Sequence, residues 1–198
     1  GLAIAPEVLG NAAQLLYADK PLALVVAPTR ELALQVRREF EWLYGPAGAH
    51  LASCVGGMDQ RTERRALERG AHIVVGTPGR LRDHIERGSL DLSALKAVVL
   101  DEADEMLDMG FQEDLEFILA GAPPERRTLM FSATVPKAIE GLAASYQRDA
   151  MRIVARGEAK QHVDIEYRAL NVATRDREHA IFNVLRYYEA PTAIVFCK

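Results

Sequence analysis

Short, continuous apolar runs recur along this 198-residue chain, and each run leads into a turn. The run Ala97–Leu100 shows no alternation of apolar and polar residues and is too short for a buried helix, so it predicts a strand covered on both faces. Similar runs lie at residues 22–27, 52–55, 72–76, 128–131, 151–154 and 192–196. Because helical patterns separate these runs, the sequence predicts an α/β fold with a doubly wound, mostly parallel sheet flanked by helices.

Helical spacing is clearest after the run at residues 22–27. Apolar residues recur there at intervals of three and four: Leu32, Val36, Phe40 and Leu43. One face of that helix is therefore expected to pack on the sheet. We also predict a helix that begins at about Glu7, helices whose first turns contain Pro78 and Pro136, and a helix over residues 180–188.

Threonines stand where three of these helices are predicted to begin: Thr29, Thr77 and Thr134. Simple N-capping by the hydroxyl group explains any one of them. Taken as a set, several helix N-termini at one edge of a sheet also form a natural phosphate-binding surface. Arg30 and Arg80 lie in two of these turns, and Gly57 and Gly79 allow a ligand to approach the backbone closely. The residues leave both explanations open.

Three carboxylates fall within four positions at the end of the Ala97–Leu100 run: Asp101, Glu102 and Asp104. Ligands of parallel sheets bind at the carboxyl ends of the strands, and hard oxygen ligands suit Mg²⁺. The alternative is a strand end followed by the first turn of a solvated helix, where acidic residues are favoured. The local sequence is compatible with both.

The charge distribution carries more information than the net charge of −4. Residues 97–124 contain eight acidic residues and no Lys or Arg, whereas basic residues outnumber acidic ones by 24 to 20 elsewhere. This asymmetry fits a metal-dependent site beside an anion-binding surface, and it fits a solvated acidic helix equally well. A second charged run holds four arginines interleaved with Glu63 and Glu68, and we interpret it as a solvated helix face: Arg61, Arg64, Arg65 and Arg69.

Composition excludes several classes of protein. A hydrophobic content of 49% with 26% charged residues is ordinary for a globular protein, and no apolar run reaches the length of a membrane span. Cys54 and Cys197 are far apart and suggest no disulfide framework, so a reducing cytoplasm is the expected compartment. The five histidines are scattered, and we predict no zinc site.

Domain organisation follows from the positions of these patterns. Residues 1–156 predict one α/β domain, and the polar residues 157–163 predict a linker. Residues 164–198 predict the beginning of a second domain, because about 35 residues cannot bury a core of their own. The chain begins without Met and inside an apolar segment, so we expect truncation at the N-terminus. The short second segment leads us to expect that the second domain is truncated as well.

The tetrapeptide Asp101-Glu102-Ala103-Asp104 spells the motif after which the DEAD-box ATP-dependent RNA helicases are named. Other segments match motifs of this family in the family's order: residues 28–33, 56–57, 77–80, 109–111, 132–134 and 194–196. The chain therefore resembles this family over nearly its whole length. The resemblance implies a RecA-like domain of the P-loop NTPase type and the start of a second one.

The resemblance also implies roles for single residues. Asp101, with Glu102 beside it, would hold Mg²⁺ partly through water, and Glu102 would orient the water that hydrolyses ATP and take its proton. Asp104 would hydrogen-bond with Ser132 and Thr134 and relay the nucleotide state to domain closure. The RNA sugar-phosphate backbone would contact seven residues: Thr29, Arg30, Glu31, Gly57, Thr77, Gly79 and Arg80. Such binding would be sequence-independent and salt-sensitive, and the action that the resemblance implies is local separation of an RNA duplex.

The sequence also departs from the family pattern. It contains no G-x-x-x-x-G-K-[ST] loop, and the family's adenine-reading motif and second-domain arginines are missing. We therefore expect the 198 residues alone neither to hydrolyse ATP nor to unwind RNA. Two other hypotheses remain: an RNA- or protein-binding module that has lost its ATP site, and a DNA helicase or translocase on the same fold.

Overall fold

The structure is a computed structural model that describes residues 1–154, 166 and 168–196. The chain forms two compact units, Gly1–Met151 and Arg152–Lys198. The predicted linker at residues 157–163 lies outside the described residues. None of the helices in the described part of the chain combines the length and the apolarity that a membrane crossing requires.

The first unit contains a five-stranded sheet in which every paired strand is parallel. The strands are β1 (Ala23–Val26), β2 (Leu51–Cys54), β3 (Ile73–Gly76), β4 (Ala97–Leu100) and β5 (Arg127–Met130). Their order in the sheet is β2-β3-β1-β4-β5. The last residue of each strand is aligned with the last residue of its neighbour, so the carboxyl ends of all the strands form one edge. This order confirms the predicted parallel sheet.

Helices cover both faces of this sheet. They are α1 (Ala5–Leu9), α2 (Arg30–Tyr44), α3 (Gln60–Glu68), α4 (Pro78–Glu86), α5 (Ala103–Asp108), α6 (Gln112–Gly121) and α7 (Lys137–Tyr146). The apolar residues of α3 to α7 pack on the sheet face that includes Leu24. Those of α1 and α2 pack on the opposite face, which includes Val25. Because successive strand residues point to opposite faces, both faces are apolar, as the continuous runs predicted.

One prediction within the first unit is wrong, and so is one at the point in the sequence where the second unit begins. The helix predicted from Glu7 ends at Leu9, because Gly10 takes a left-handed conformation with φ of 55°. The chain then runs without regular structure to β1, and its carbonyl groups find other partners, such as Leu16 O at 2.6 Å from His72 Nε2. Residues 151–154 form no strand and are exposed.

The second unit is described by residues 152–154, 166 and 168–196. A single α-helix, α8 (Arg177–Tyr188), is present in this described part, after a 3-10 turn at Thr174–Asp176, which confirms the predicted helix. The strand predicted over residues 192–196 is not formed. A strand needs a neighbour for its backbone hydrogen bonds, and the described residues of this unit offer none.

Candidate active site and nucleic-acid interface

Asp101 and Glu102 lie at the carboxyl end of the central strand β4. Asp101 N donates to Val26 O at 2.9 Å, which continues the β1–β4 ladder by one residue. Glu102 follows with φ of 50° and ψ of 52°, a left-handed conformation that costs a non-glycine residue roughly 1–2 kcal/mol. Glu102 N donates to Asp101 Oδ1 at 3.1 Å, and this bond helps to hold the turn. The turn leaves the Glu102 side chain exposed at the edge of the sheet.

The chemistry of this turn suits a hard divalent cation that keeps most of its water. Asp101 and Glu102 are adjacent carboxylates, which are the ligands that Mg²⁺ prefers. Within the described residues, no three His, Cys, Asp or Glu side chains are grouped closely enough to hold a metal ion. A cation bound here would therefore take its remaining ligands from water and from a phosphate-bearing ligand, which is the usual situation for Mg²⁺.

Asp104 is joined to the segment that follows β5. Thr134 N and Thr134 Oγ1 each donate to Asp104 Oδ2 at 2.8 Å, and Asp104 N donates to Ser132 Oγ at 3.2 Å. Ser132 Oγ in turn donates to Thr134 O at 2.6 Å. These contacts match the hydrogen bonds that the family resemblance implied for Asp104, while its role in coupling stays a prediction.

The charge of Asp104 is stabilised by these neighbours. The hydrogen bond from the Thr134 hydroxyl group contributes most to lowering its pKa, and Ser132 and the backbone amides of Thr134 and Asp104 add to this effect, whereas partial burial opposes it. The pKa of Asp104 therefore lies well below its usual range. Asp104 is ionised near neutral pH, and its carboxylate accepts hydrogen bonds from Thr134 in the segment that follows β5.

Backbone hydrogen bonds fix the two segments of this network against each other. Phe131 N donates to Leu100 O at 2.8 Å, and Ala103 N donates to Phe131 O at 2.9 Å. The first turn of α5 is therefore tied to the residue that precedes Ser132. Pro136 is the N-cap residue of α7, so Thr134 lies before that helix and does not cap it, contrary to the capping explanation.

A second group of predicted site residues lies at the ends of β1 and β2. Thr29 is the N-cap residue of α2, and its hydroxyl oxygen accepts a hydrogen bond from Leu32 N at 3.3 Å. Arg30 Nη1 donates to Gly56 O at 3.3 Å. Gly57 has a φ of 77°, and a Cβ atom there would lie 2.7 Å from Arg30 Nη1. The turn that begins α2 is thus in direct contact with the Gly56-Gly57 turn, called here the glycine turn. Glu31 is exposed beside this contact.

The third turn follows β3 and begins α4. Thr77 N donates to Cys54 O at 3.0 Å, which places this turn next to the end of β2. Thr77 occupies the N-cap position, but its side chain makes no capping hydrogen bond, so capping by the hydroxyl group does not explain Thr77. Gly79 is exposed in the first turn of α4, and the nearest atom to a Cβ at Gly79 would be Asp114 Oδ2 at 3.8 Å.

Arg80 lies in the same turn, but its guanidinium group has partners within the protein. Arg80 Nε donates to Glu63 Oε2 and Arg80 Nη2 donates to Met58 O, both at 2.7 Å. Its side chain is 20% exposed. Thr29, Arg30, Gly57, Thr77 and Gly79 therefore lie at an open edge, whereas Arg80 is held mostly below it.

Sequence reasoning missed Glu63. It was assigned to a solvated helix face, and that is right for the exposed arginines of α3 but wrong for Glu63, which is 2% exposed. Its spacing of four residues from Leu67, which is buried on the sheet side of α3, is the signal that could have identified it. His84, three residues after the buried Leu81, was missed for the same reason and contacts Glu63.

The sequence of this chain is similar to those of known proteins. A family model described as DEAD/DEAH box helicase matches residues 8–142. The chain is 41% identical over 174 residues to the DEAD-box ATP-dependent RNA helicase CshA of Geobacillus kaustophilus, which covers 88% of this chain and 37% of that protein. It is 40% identical over 179 residues to the ATP-dependent RNA helicase DeaD of Escherichia coli, covering 90% of this chain and 28% of that protein.

The fold of this chain is similar to that of a solved structure. The crystal structure of a DEAD box protein from the hyperthermophile Methanococcus jannaschii matches with a TM-score of 0.66 and 42% identity, and the match covers 86% of this chain and 46% of that one. The chain therefore spans well under half of the length of the two curated relatives described above.

Proposed function

This chain belongs to the DEAD/DEAH box helicase family, and on that basis we propose that the whole protein is an ATP-dependent RNA helicase. It couples RNA-stimulated ATP hydrolysis to local separation or remodelling of an RNA duplex. The observation that carries this proposal is the position of the Asp101–Glu102 turn, which lies beside the Asp104–Ser132–Thr134 network at the same sheet edge as the three turns at the ends of β1, β2 and β3.

In this proposal Glu102 is the catalytic base. Its exposed carboxylate orients a water molecule against the terminal phosphate of ATP and accepts one proton from that water as the new P–O bond forms. The bond between the terminal phosphorus and the bridging oxygen breaks in the same step, and ADP leaves with that oxygen and its electron pair. Asp101, with Glu102 beside it, would hold Mg²⁺ partly through water, and the ion would supply positive charge next to the phosphate oxygens. The strained conformation of Glu102 keeps the carboxylate at the sheet edge, away from the buried strand.

Asp104, Ser132 and Thr134 transmit the state of the nucleotide site. Asp104 lies two residues after Glu102 in the first turn of α5. A displacement of the Asp101–Glu102 turn therefore moves the Asp104 carboxylate, which accepts the hydrogen bonds from Thr134. The segment after β5 then shifts with it. A network with few, strong, directional contacts suits this role because it has discrete bonded and unbonded arrangements.

RNA is bound by the three turns at the ends of β1, β2 and β3. The helix N-termini present backbone N–H groups, and Arg30 adds a positive charge. The residues that we assign to the sugar-phosphate backbone are Thr29, Arg30, Glu31, Gly57, Thr77, Gly79 and Arg80. Contacts to phosphate and sugar carry no sequence information, so binding depends on salt more than on RNA sequence.

The remaining assignments are part of the same proposal. Residues 1–156 form the ATP-binding helicase domain, 157–163 a linker and 164–198 the beginning of the helicase C-terminal domain. The protein acts in the cytoplasm, where Cys54 stays reduced.

The test is phosphate release by the purified whole protein with ATP and Mg²⁺, measured without nucleic acid, with single-stranded RNA and with DNA of the same sequence. We expect stimulation by RNA and little by DNA. Equal stimulation by both would favour a DNA helicase or translocase, and RNA binding without hydrolysis would favour a binding module. Removing Mg²⁺ with EDTA should abolish hydrolysis.

A further inference from the structure

Glu63 is a buried carboxylate with three donors, one from the segment that leads into the Gly56-Gly57 turn and two from helix α4. Its Oε1 accepts from Val55 N at 2.8 Å, and its Oε2 accepts from Arg80 Nε at 2.7 Å and from His84 Nε2 at 2.8 Å. The Glu63 side chain is 1% exposed and the His84 side chain is fully buried. A charge removed from water in this way is stable only with such compensation.

The hydrogen bonds of Glu63 reach the segments on both sides of the glycine turn. Val55 directly precedes Gly56-Gly57, and its backbone amide is held by Glu63. Met58 directly follows the turn, and its carbonyl oxygen is held by Arg80, which is itself held by Glu63. Two glycines in sequence would otherwise leave this turn with wide conformational freedom.

The same carboxylate fixes the turn that begins α4. Arg80 and His84 lie on successive turns of that helix, and both donate to Glu63 Oε2. The first turn of α4, with Thr77 and Gly79, is therefore fixed relative to the glycine turn through α3. Charge balance supports this interpretation, since burial would raise the pKa of Glu63 but the hydrogen bonds from His84, Val55 and Arg80 lower it.

We propose that Glu63 is a positioning residue for RNA binding, which holds the Gly56-Gly57 turn and the Thr77–Arg80 turn in the arrangement that fits a sugar-phosphate backbone. Glu63 is too deeply buried to touch RNA itself. Because one carboxylate holds both turns in place before RNA binds, the free-energy cost of ordering these turns on binding is lower. This inference rests on the proposed RNA-binding function of those turns.

The test is Glu63→Gln in the whole protein. This substitution keeps the size of the side chain but replaces one acceptor oxygen with an NH2 group, which cannot accept the hydrogen bonds from Arg80 and His84. We measure RNA-stimulated phosphate release as a function of RNA concentration. The RNA concentration for half-maximal stimulation should rise on the order of tenfold, the loss expected for a charge-assisted hydrogen bond. The KM for ATP and the rate at saturating RNA should stay unchanged. A purely structural role would instead lower the active fraction and the maximal rate.

Glu68→Gln is the matched control, because Glu68 lies on the same helix, is exposed and pairs with Arg64 at 3.2 Å. It should leave every parameter unchanged. Arg30→Ala separates this inference from the proposed function, since Arg30 lies at the open edge. If Arg30→Ala weakens the RNA dependence and Glu63→Gln does not, the positioning role is wrong. If neither changes it, the proposed RNA-binding edge is wrong and the positioning role falls with it.

A second variant covers the case in which Glu63→Gln does not fold. His84→Phe keeps a buried ring of similar shape but removes the donor to Glu63. It should raise the half-maximal RNA concentration by a smaller factor, again without a change in the KM for ATP. An unchanged RNA dependence in a folded His84→Phe protein would overturn the inference.

Discussion

Thr134 donates two hydrogen bonds to a single oxygen atom of Asp104, one from its backbone N and one from its Oγ1, each at 2.8 Å. The two residues are separated by 30 positions and belong to segments that follow the neighbouring strands β4 and β5. The Asp101–Glu102 turn ends two residues before Asp104. The Asp104–Thr134 pair therefore connects the proposed catalytic carboxylate of Glu102 to the segment that follows β5.

Thr134→Val removes the hydroxyl donor and keeps the backbone donor. We expect RNA-stimulated ATP hydrolysis to persist while duplex separation per ATP hydrolysed falls by roughly tenfold, within the usual range of coupling energies. The measurement compares phosphate release with strand separation of a labelled RNA duplex in the same preparation. Thr128→Val is the matched control, because Thr128 Oγ1 is buried and has no hydrogen-bond partner among the residues that the structure describes. Equal losses of both activities in Thr134→Val would contradict the coupling role.

The low pKa of Asp104 predicts a particular dependence of stability on pH. A carboxyl group whose pKa is lower in the folded than in the unfolded state stabilises the fold above the unfolded value, about 3.9 for Asp, and this contribution is lost as the pH falls toward the folded value. The difference in unfolding free energy between wild type and Asp104→Asn should be constant above about pH 5 and shrink below about pH 4. Urea denaturation across this range measures it. A difference that disappears near neutral pH would contradict the assigned network.

Gly79→Ala separates RNA contact from folding. The nearest atom to the new Cβ would lie at 3.8 Å, and the position is helical, so the substitution should stabilise the fold by about 0.4–1 kcal/mol. If the RNA backbone approaches Gly79 closely, RNA affinity should nevertheless fall. Fluorescence anisotropy with labelled RNA, together with thermal unfolding, tests both parts.

Gly76→Ala is the contrasting variant. A Cβ there would lie 2.4 Å from Cys54 O and 2.8 Å from Leu81 Cδ2, so it should cost about 1–3 kcal/mol of stability. A Gly76→Ala protein as stable as the wild type would show that the spacing between β2 and β3 is more tolerant than the structure implies. For Gly79→Ala, an unchanged RNA affinity would contradict the assignment of Gly79 to the RNA-binding edge.

Cys54 should be chemically inert in the folded protein. Burial raises the pKa of its thiol strongly, the nearby Glu63 carboxylate raises it further, and Arg80 opposes this only in part. Because the thiolate is the reactive form, iodoacetamide at pH 8 should modify Cys54 only after urea unfolding. Peptide mass mapping measures the modified fraction, and rapid modification under native conditions would contradict the packing of β2.

The sequence predicted most of the fold because parallel strands buried on both faces leave a local signal. The continuous runs at Ala97–Leu100 and Ile73–Gly76 identified their strands, and the acidic turn after β4 was located by its motif. The features that the sequence did not predict depend on partners that are distant along the chain. Glu63 resembles a surface acid until α3 is placed against α4, and residues 192–196 resemble a strand although the described residues of that unit offer no neighbour to pair with.

The most direct test of the account is Glu102→Gln in the whole protein, with RNA affinity and RNA-stimulated phosphate release measured on the same samples. Glu105→Gln is the matched control, because Glu105 is an exposed acid on α5 outside the Asp104 network. Glu102→Gln should lower the hydrolysis rate by about 10²–10⁴-fold while RNA affinity stays within twofold of wild type, as general acid–base catalysis predicts. Hydrolysis by Glu102→Gln at the wild-type rate would contradict the assignment of this turn as the catalytic site.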